Sequence, residues 1–469
     1  MRLFGALEQF EGAPALIDAA GIAITHQELT GAADSLVADL PSRQLVLCLC
    51  RNSVDAIVGY VGLVRNGHVC VMLAAGTDPE RIKEFARLFS PNQVYAPAEI
   101  LRELELDPQL IFGSYGIART RYATTEMHQD LTLLMTTSGS TGSPMLVRVS
   151  NDNLVENAAS IAESLGLTAQ DRALTTLPMN YTYGLSIINS QLQVGGSLVV
   201  CDASLMDRQF WNLVSSSGAT YFGGVPYTYQ MLERIGIKRL ANGTLRMLTQ
   251  AGGKLDDESV KRIHSACAEI GIEFNVMYGQ TEATARMTVL KSSEVQAHPW
   301  SIGHPIPGGS VRVVDPETGE SVATGEAGEL EYSGPNVSMG YATSSADLVR
   351  GDDFGFSLRT GDLAVRDDDG YLRIVGRRKR FIKVYGSRVN LDDVERMVQE
   401  SGLEAVCTGS DDSLVVHVVG DVDREGLQEA VASFIGAHKN AVRVNAVGSI
   451  PRAESGKVLY SELMEDSNG

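Results

Sequence analysis

The chain lacks any apolar run long enough to cross a bilayer, and its start lacks the basic stretch followed by an apolar core that an export signal needs. A cytoplasmic protein is therefore expected. Its six cysteines (Cys48, Cys50, Cys70, Cys201, Cys267 and Cys407) are scattered, mostly within apolar runs, with no CxxC pair and no His/Cys cluster. That argues against a zinc site and a disulfide framework, and it predicts reduced thiols. Eight histidines are dispersed without metal spacing, which favours structural roles for them. Basic residues are also scarce: 39 Lys and Arg stand against 58 Asp and Glu, a net charge of −19. Nonspecific nucleic-acid binding relies on basic surface to neutralise phosphates, so this balance argues against it.

What is present describes an ordinary globular protein, 44% hydrophobic and 21% charged. At 469 residues the chain exceeds a usual single core, so two or three domains are expected. Leu45 to Cys50 reads as a buried strand, Val54 to Arg65 as a helix and His68 to Leu73 as a strand. The same rhythm continues with Asn153 to Leu165 (helix), Arg172 to Leu177 (strand), Ser186 to Val194 (helix) and Ser197 to Val200 (strand). Tyr221 to Pro226 and Met247 to Gln250 read as further strand ends. Alternation of this kind implies an α/β fold in which doubly wound parallel sheets are joined by crossover helices. Glycines and prolines become dense from Ile302 to Gly340, where short alternating runs suggest a small β-rich subdomain, about 302–375. Asp367 to Asp369 before Gly370 read as a solvated hairpin tip. From 381 to 469 a strand, helix, strand, helix and strand predict a small α+β domain. The cationic run 376–380 marks its boundary. No internal repeat or low-complexity tract is evident.

Leu134-Met-Thr-Thr-Ser-Gly-Ser-Thr-Gly-Ser-Pro144 follows an apolar run and interleaves two glycines with hydroxyl side chains. Glycines let the backbone turn tightly beside an anion, and hydroxyls and bare N–H groups donate to its oxygens. Taken alone, this composition suits a polyphosphate cradle and a flexible Ser/Gly/Thr linker about equally. No Lys-Ser or Lys-Thr pair closes it, so it is not a P-loop. Four more segments follow in order: Tyr278-Gly-Gln-Thr-Glu282, Thr360-Gly-Asp362, Gly376-Arg-Arg-Lys-Arg-Phe-Ile-Lys383 and Pro451-Arg-Ala-Glu-Ser-Gly-Lys457. In this order they resemble the signature motifs of the adenylate-forming superfamily of acyl-CoA synthetases, luciferases and nonribosomal adenylation domains. The resemblance runs from Pro14 to Lys457, and it rests on five motifs in order rather than on any one of them.

The resemblance implies a large AMP-binding domain (1–375), a hinge at 376–380 and a small mobile cap (381–469). It also implies that Thr137, Ser138, Gly139, Ser140, Thr141 and Gly142 cradle ATP, with Ser138 to Thr141 on the β- and γ-phosphates. Gly252, Gly253 and Lys254, with Tyr278, Gly279 and Gln280, would wall the adenine. Thr281 would donate to the α-phosphate, and Glu282 would hold Mg²⁺, a hard cation that favours carboxylate oxygen. Asp362 would accept the ribose hydroxyls and Arg377 would reinforce the ribose or phosphate side. Lys457 would carry the catalytic cation between substrate carboxylate and α-phosphate, where a compact point charge stabilises the transition state. Lys379 would be the hinge on which the cap swings, and Gly386 would line the tunnel for a pantetheine thiol. The acid pocket would come from the Leu177 to Gly184 loop, with Asn180, Tyr181 and Tyr183, and from Gly223, Gly224 and Gly252. Its hydroxyls and amide suggest polar contacts rather than a wholly greasy fatty-acid tunnel.

Three positions depart from the family pattern. Met145 stands where a lysine is usual, which removes a cationic contact to pyrophosphate; Arg148 or Mg²⁺ would then supply part of that charge. Tyr181 replaces a common histidine, which keeps an aromatic gate but loses a titratable nitrogen. Arg380 replaces a common acid. The expected function is ATP-dependent activation of a carboxylic acid, with transfer to the pantetheine thiol of CoA or of a separate carrier protein. Two alternatives stay open: transfer of the adenylated acid to an amine or another nucleophile, and a catalytically degenerate nucleotide-binding homologue.

Overall fold

The computed structural model describes residues 2–136, 145–385, 387–452 and 458–465. Two compact units emerge, one of residues 1–311 and 332–358, the other of residues 312–331 and 359–469.

In the first unit, Leu45–Cys50 is buried along its whole length, as expected of a strand covered on both faces. Its side chains alternate between two cores. Val46, Cys48 and Cys50 join one apolar cluster, and Leu45, Leu47 and Leu49 join another. Leu45–Cys50 pairs in parallel with Val69–Ala74 and with Gln93–Pro97, inside an eight-stranded sheet. A nine-stranded sheet holds Arg172–Leu174, Ser197–Val199, Tyr221–Gly224, Met247–Gln250 and Glu273–Tyr278 in parallel pairings. Both sheets are antiparallel toward their edges, for example at Glu273–Tyr278 with Thr288–Leu290 and at Leu131–Thr136 with Leu146–Ser150. Helices Val54–Arg65, Asn151–Leu165 and Thr182–Gln193 contribute side chains to a cluster that also takes residues from both sheets. This is the α/β architecture expected, with doubly wound parallel centres.

Two helix starts show why these segments fold as they do. Ser53 accepts from the Ala56 N–H to cap Val54–Arg65, and Ser150 forms a reciprocal capping box with Asn153. Thr182–Gln193 begins earlier than the sequence suggested, so Thr182, Tyr183 and Gly184 form a first helical turn rather than a loop. Gly184 permits this, because a Cβ there would lie 2.3 Å from the Pro178 carbonyl oxygen.

The second unit holds most of a four-stranded sheet, ordered Ser310–Val314, Ala327–Ser333, Ser357–Arg366, Leu372–Arg377. Its last two strands form the hairpin whose turn is Asp367 to Gly370. Beyond lie the antiparallel pair Phe381–Val384 and Ser387–Asn390, helices Leu391–Glu400 and Arg424–Phe434, and a three-stranded sheet. Ala405–Ser410 is a strand that the sequence reading omitted; it runs antiparallel to Ser413–Val419. Val394, Val398, Val416 and Val431 centre this core.

Candidate active site

Glu273–Tyr278 ends at the Tyr278-Gly-Gln-Thr-Glu282 motif, and the chain returns through Thr288–Leu290. The return passes so close that a Cβ on Gly279 would lie 1.8 Å from the Ala285 carbonyl oxygen. Glycine at 279 is therefore a packing requirement. Thr281–Ala283 form one 3-10 turn, and Thr284 after them takes a left-handed φ of 67°. That conformation is uncommon for a non-glycine residue. It is held here by the Thr284 hydroxyl, which donates to the Asn336 carbonyl at 2.7 Å.

The half-buried Tyr278 packs against the apolar cluster that includes Ala283, Met287 and Val337, and its hydroxyl accepts from Gln280 Nε2 at 3.2 Å. The Thr281 and Thr182 hydroxyls lie 3.5 Å apart, which joins this motif to the first turn of the pocket helix. Glu282 Oε1 accepts a 2.8 Å hydrogen bond from the Tyr341 hydroxyl, and the Glu282 carbonyl accepts from the Ser338 N–H at 2.9 Å. Burial pushes the Tyr341 phenol up, and the neighbouring Glu282 carboxylate adds to the effect. Tyr341 thus stays a proton donor throughout the ordinary pH range. Sequence reasoning did not find it, because nothing local to Gly340-Tyr-Ala signals a partner 59 positions away.

Several of the residues that the resemblance assigns to an acid pocket lie close together. Gly252 has a φ of 82°, and a Cβ there would lie 2.4 Å from the Tyr181 hydroxyl. Tyr181 and Tyr183 pack edge to face with ring centroids 6.3 Å apart. The Tyr183 hydroxyl donates to the Thr249 carbonyl at 2.8 Å, and a Cβ on Gly223 would meet that hydroxyl at 2.9 Å. Gly224 lies against Thr228 and Tyr229 in the same way. Gln250 Nε2 donates to the Gly253 carbonyl at 2.8 Å, which fixes the turn before the exposed Lys254. Asn180 is half-buried at the mouth of the pocket helix. Burial pushes the phenols of Tyr181 and Tyr183 up, so both remain neutral.

Arg148 does not supply charge to a phosphate. Its side chain is fully buried and its five N–H donors are all used: on the carbonyls of Met339, Tyr341, Arg350 and Gly351, and on Asp353 Oδ2. A guanidinium satisfied in this way is a clamp, and it has no donor left to replace the charge missing at Met145.

In the second unit, Gly361 takes a φ of 72°, and its N–H donates to Glu329 Oε1 at 3.1 Å. Asp362, 2% exposed, accepts from Arg377 Nε at 2.8 Å. The turn Arg378–Arg380 carries Lys379. Arg380, replacing an acid, now has an explanation. It donates to Asp392 Oδ1 and to the Cys407 carbonyl, each at 2.8 Å, and it pairs with Glu395. Its guanidinium also lies 4.4 Å from the Tyr460 ring centroid.

Thr137, Ser138, Gly139, Ser140, Thr141, Gly142, Gly386 and Lys457 lie outside the described residues. Their flanks are described. Thr136 pairs with Leu146 across the hydroxyl-rich segment, and Arg452 bridges Val458 across the segment that ends in Lys457. All six cysteines are buried and free. Among the described residues there is no His/Cys/Asp/Glu cluster suited to a metal and no helix long and apolar enough to cross a membrane.

The rice protein 4-coumarate–CoA ligase-like 4 is 26% identical over 98% of this chain and 92% of its own length. The nonribosomal peptide synthetase CmlP of Streptomyces venezuelae is 27% identical over 95% of this chain and 47% of its own. The fold matches that of O-succinylbenzoate coenzyme A synthetase (MenE) from Bacillus subtilis, solved in complex with ATP and magnesium ion. The TM-score is 0.78 at 21% identity, covering 99% of each chain. The model of the AMP-binding enzyme family matches residues 3–342, which include the pocket helix and the Tyr278 to Glu282 motif, and the chain belongs to that family.

Proposed function

We propose that the protein activates a carboxylic acid with ATP, forming an acyl-adenylate and releasing pyrophosphate, and then passes the acyl group to a pantetheine thiol. The observation that carries this reading is the 3.5 Å approach of Thr182 and Thr281. It brings the first turn of the acid-pocket helix onto the loop whose next residue is Glu282, in a chain of the AMP-binding enzyme family. Positioning and electrostatics dominate such a reaction, because charge is dispersed over phosphate oxygens in the transition state.

Glu282 fits a hard divalent cation: it is a carboxylate whose Oε1 is oriented by the Tyr341 hydroxyl. Thr281 donates to the α-phosphate, and Tyr278, Gln280 and the Gly252 to Lys254 turn enclose the base. Asp362 and Arg377 serve the ribose. Lys457 places its ammonium where the mixed anhydride forms, and its delivery depends on a hinge at Lys379. Ser138 to Thr141 hold the outer phosphates, and the thiol arm passes Gly386. The acceptor is CoA or a carrier protein on a separate chain.

Exchange of labelled pyrophosphate into ATP, driven by a panel of acids, tests the first half-reaction. Exchange with at least one acid is expected, and none with any acid would remove the proposal. Thioester formation with CoA or with a carrier-bound pantetheine then identifies the acceptor.

A further inference from the structure

Arg286 closes the Tyr278 to Glu282 loop, one residue before the Met287 N–H donates to the Tyr278 carbonyl at 2.8 Å. Its side chain is 2% exposed. Nη1 reaches only Met277 Sδ, at 3.4 Å, while Nε and Nη2 have no hydrogen-bond partner among the described residues. The guanidinium carbon lies 4.9 Å from the Tyr183 ring centroid. Burial pushes its pKa down, and only the phenols of Tyr183 and Tyr221 pull the other way; no carboxylate contributes. An arginine nonetheless keeps its proton in a protein.

A buried cation without a counter-anion is among the most expensive features a fold can carry. Slack in the turn does not account for it. The Arg286 carbonyl accepts from the buried amides of Asn157 at 2.9 Å and Asn336 at 3.2 Å, which fixes the backbone from which the side chain points inward. The two unpartnered nitrogens, Nε and Nη2, form the side-on edge of the guanidinium. That edge presents two parallel N–H groups at the spacing of a carboxylate.

Tyr183, whose ring Arg286 covers, belongs to the acid pocket and follows Thr182, which meets Thr281. Arg286 therefore lies against the same helical turn whose Thr182 meets Thr281. We propose that Arg286 receives a second carboxylate of the substrate, so that the acid activated here is a dicarboxylic acid; the inference rests on the ligase reading given above. An acid with a neutral tail would leave the guanidinium buried and unpaired. That is how a polar site rejects an analogue.

The test compares succinate, glutarate, adipate and phthalate with their monoamides, which keep the shape and lose the second charge. Pyrophosphate exchange is expected to favour one diacid over its monoamide by roughly a hundredfold in kcat/KM, the scale of a charge-assisted pair. Arg286→Met should abolish that ratio and Arg286→Lys should retain part of it. Because each ratio is internal to one preparation, partial misfolding of a variant cancels. Without its nucleotide, Arg286→Met should melt no lower than the parent, since it removes an uncompensated charge. An unchanged ratio in Arg286→Met, or a parent enzyme that prefers the monoamides throughout, overturns the inference while leaving the ligase reading standing. If no acid drives exchange, the ligase reading fails. Calorimetric binding of the four diacids then decides alone: binding lost in Arg286→Met supports the inference, and equal or absent binding ends it.

Discussion

The Tyr341 hydroxyl donates to Oε1 of Glu282 at 2.8 Å, so the proposed cation ligand is oriented by a residue far away in the chain. Removing that hydroxyl leaves the carboxylate in place but lets it rotate. Tyr341→Phe should raise the Mg²⁺ concentration needed for half-maximal exchange by roughly tenfold, the value of one hydrogen bond to a charged acceptor. A magnesium titration of the exchange rate checks this. Equal midpoints would show that Tyr341 serves only to fill space.

Lys457→Ala should lower the rate of adenylate formation by roughly a hundredfold or more, the scale of losing one transition-state donor, while ATP still binds. Single-turnover formation of acyl-AMP, beside nucleotide affinity measured by calorimetry, separates the two effects. A near-normal single-turnover rate would refute the catalytic assignment.

Arg380 holds the second unit together. Burial opposes its charge, but Glu395, Tyr460 and Asp392 outweigh that and raise its pKa. Arg380→Met would strand Glu395, whose side chain is 13% exposed. The cost should be about 3 to 5 kcal/mol, seen as faster hydrogen exchange in Leu391–Glu400. Combining it with Glu395→Leu should recover most of the loss, since two matched apolar residues leave no stranded charge.

His68 gives the fold a pH-sensitive component. Burial, with Arg2 and Arg43 nearby, lowers its pKa from 6.5 to about 4. Its Nδ1 accepts from the Gln44 N–H at 3.1 Å, which requires the neutral ring. Between those pKa values the unfolded chain binds the extra proton, so stability rises with pH. The contribution is complete above pH 6.5 and is lost as pH falls toward 4, about 3 kcal/mol in all. Denaturant midpoints measured at pH 7 and pH 5 should converge in His68→Gln. A parent midpoint that does not move over this interval would contradict the assignment.

Much of the architecture was legible from periodicity alone. Val54–Arg65 and Met247–Gln250 fall where the sequence placed them. Each is bounded by a polar residue or a glycine and carries a clear apolar pattern. Ala405–Ser410 escaped because its exposed Gly409 and Ser410 end reads as a turn, although its other residues are buried. The helix at Thr182 started early because Tyr and Thr disguise a first turn that Gly184 makes sterically feasible. At the site, the motif order pointed to Thr281 and Glu282, but it could not point to Tyr341, whose relation to Glu282 exists only once two distant segments pack. Arg286 left one trace, a lone basic residue two positions before the strand Thr288–Leu290, and a solvated cation would look the same in sequence.

Arg148 has a practical consequence for anyone trimming this protein. The family match stops at residue 342, yet three of the five acceptors around that guanidinium (the Arg350 and Gly351 carbonyls and the Asp353 carboxylate) come later. A fragment cut where the match ends would keep the cation and discard most of its anchors. It should come out of expression insoluble, whereas a cut after the segment that carries Asp353 keeps the suture closed.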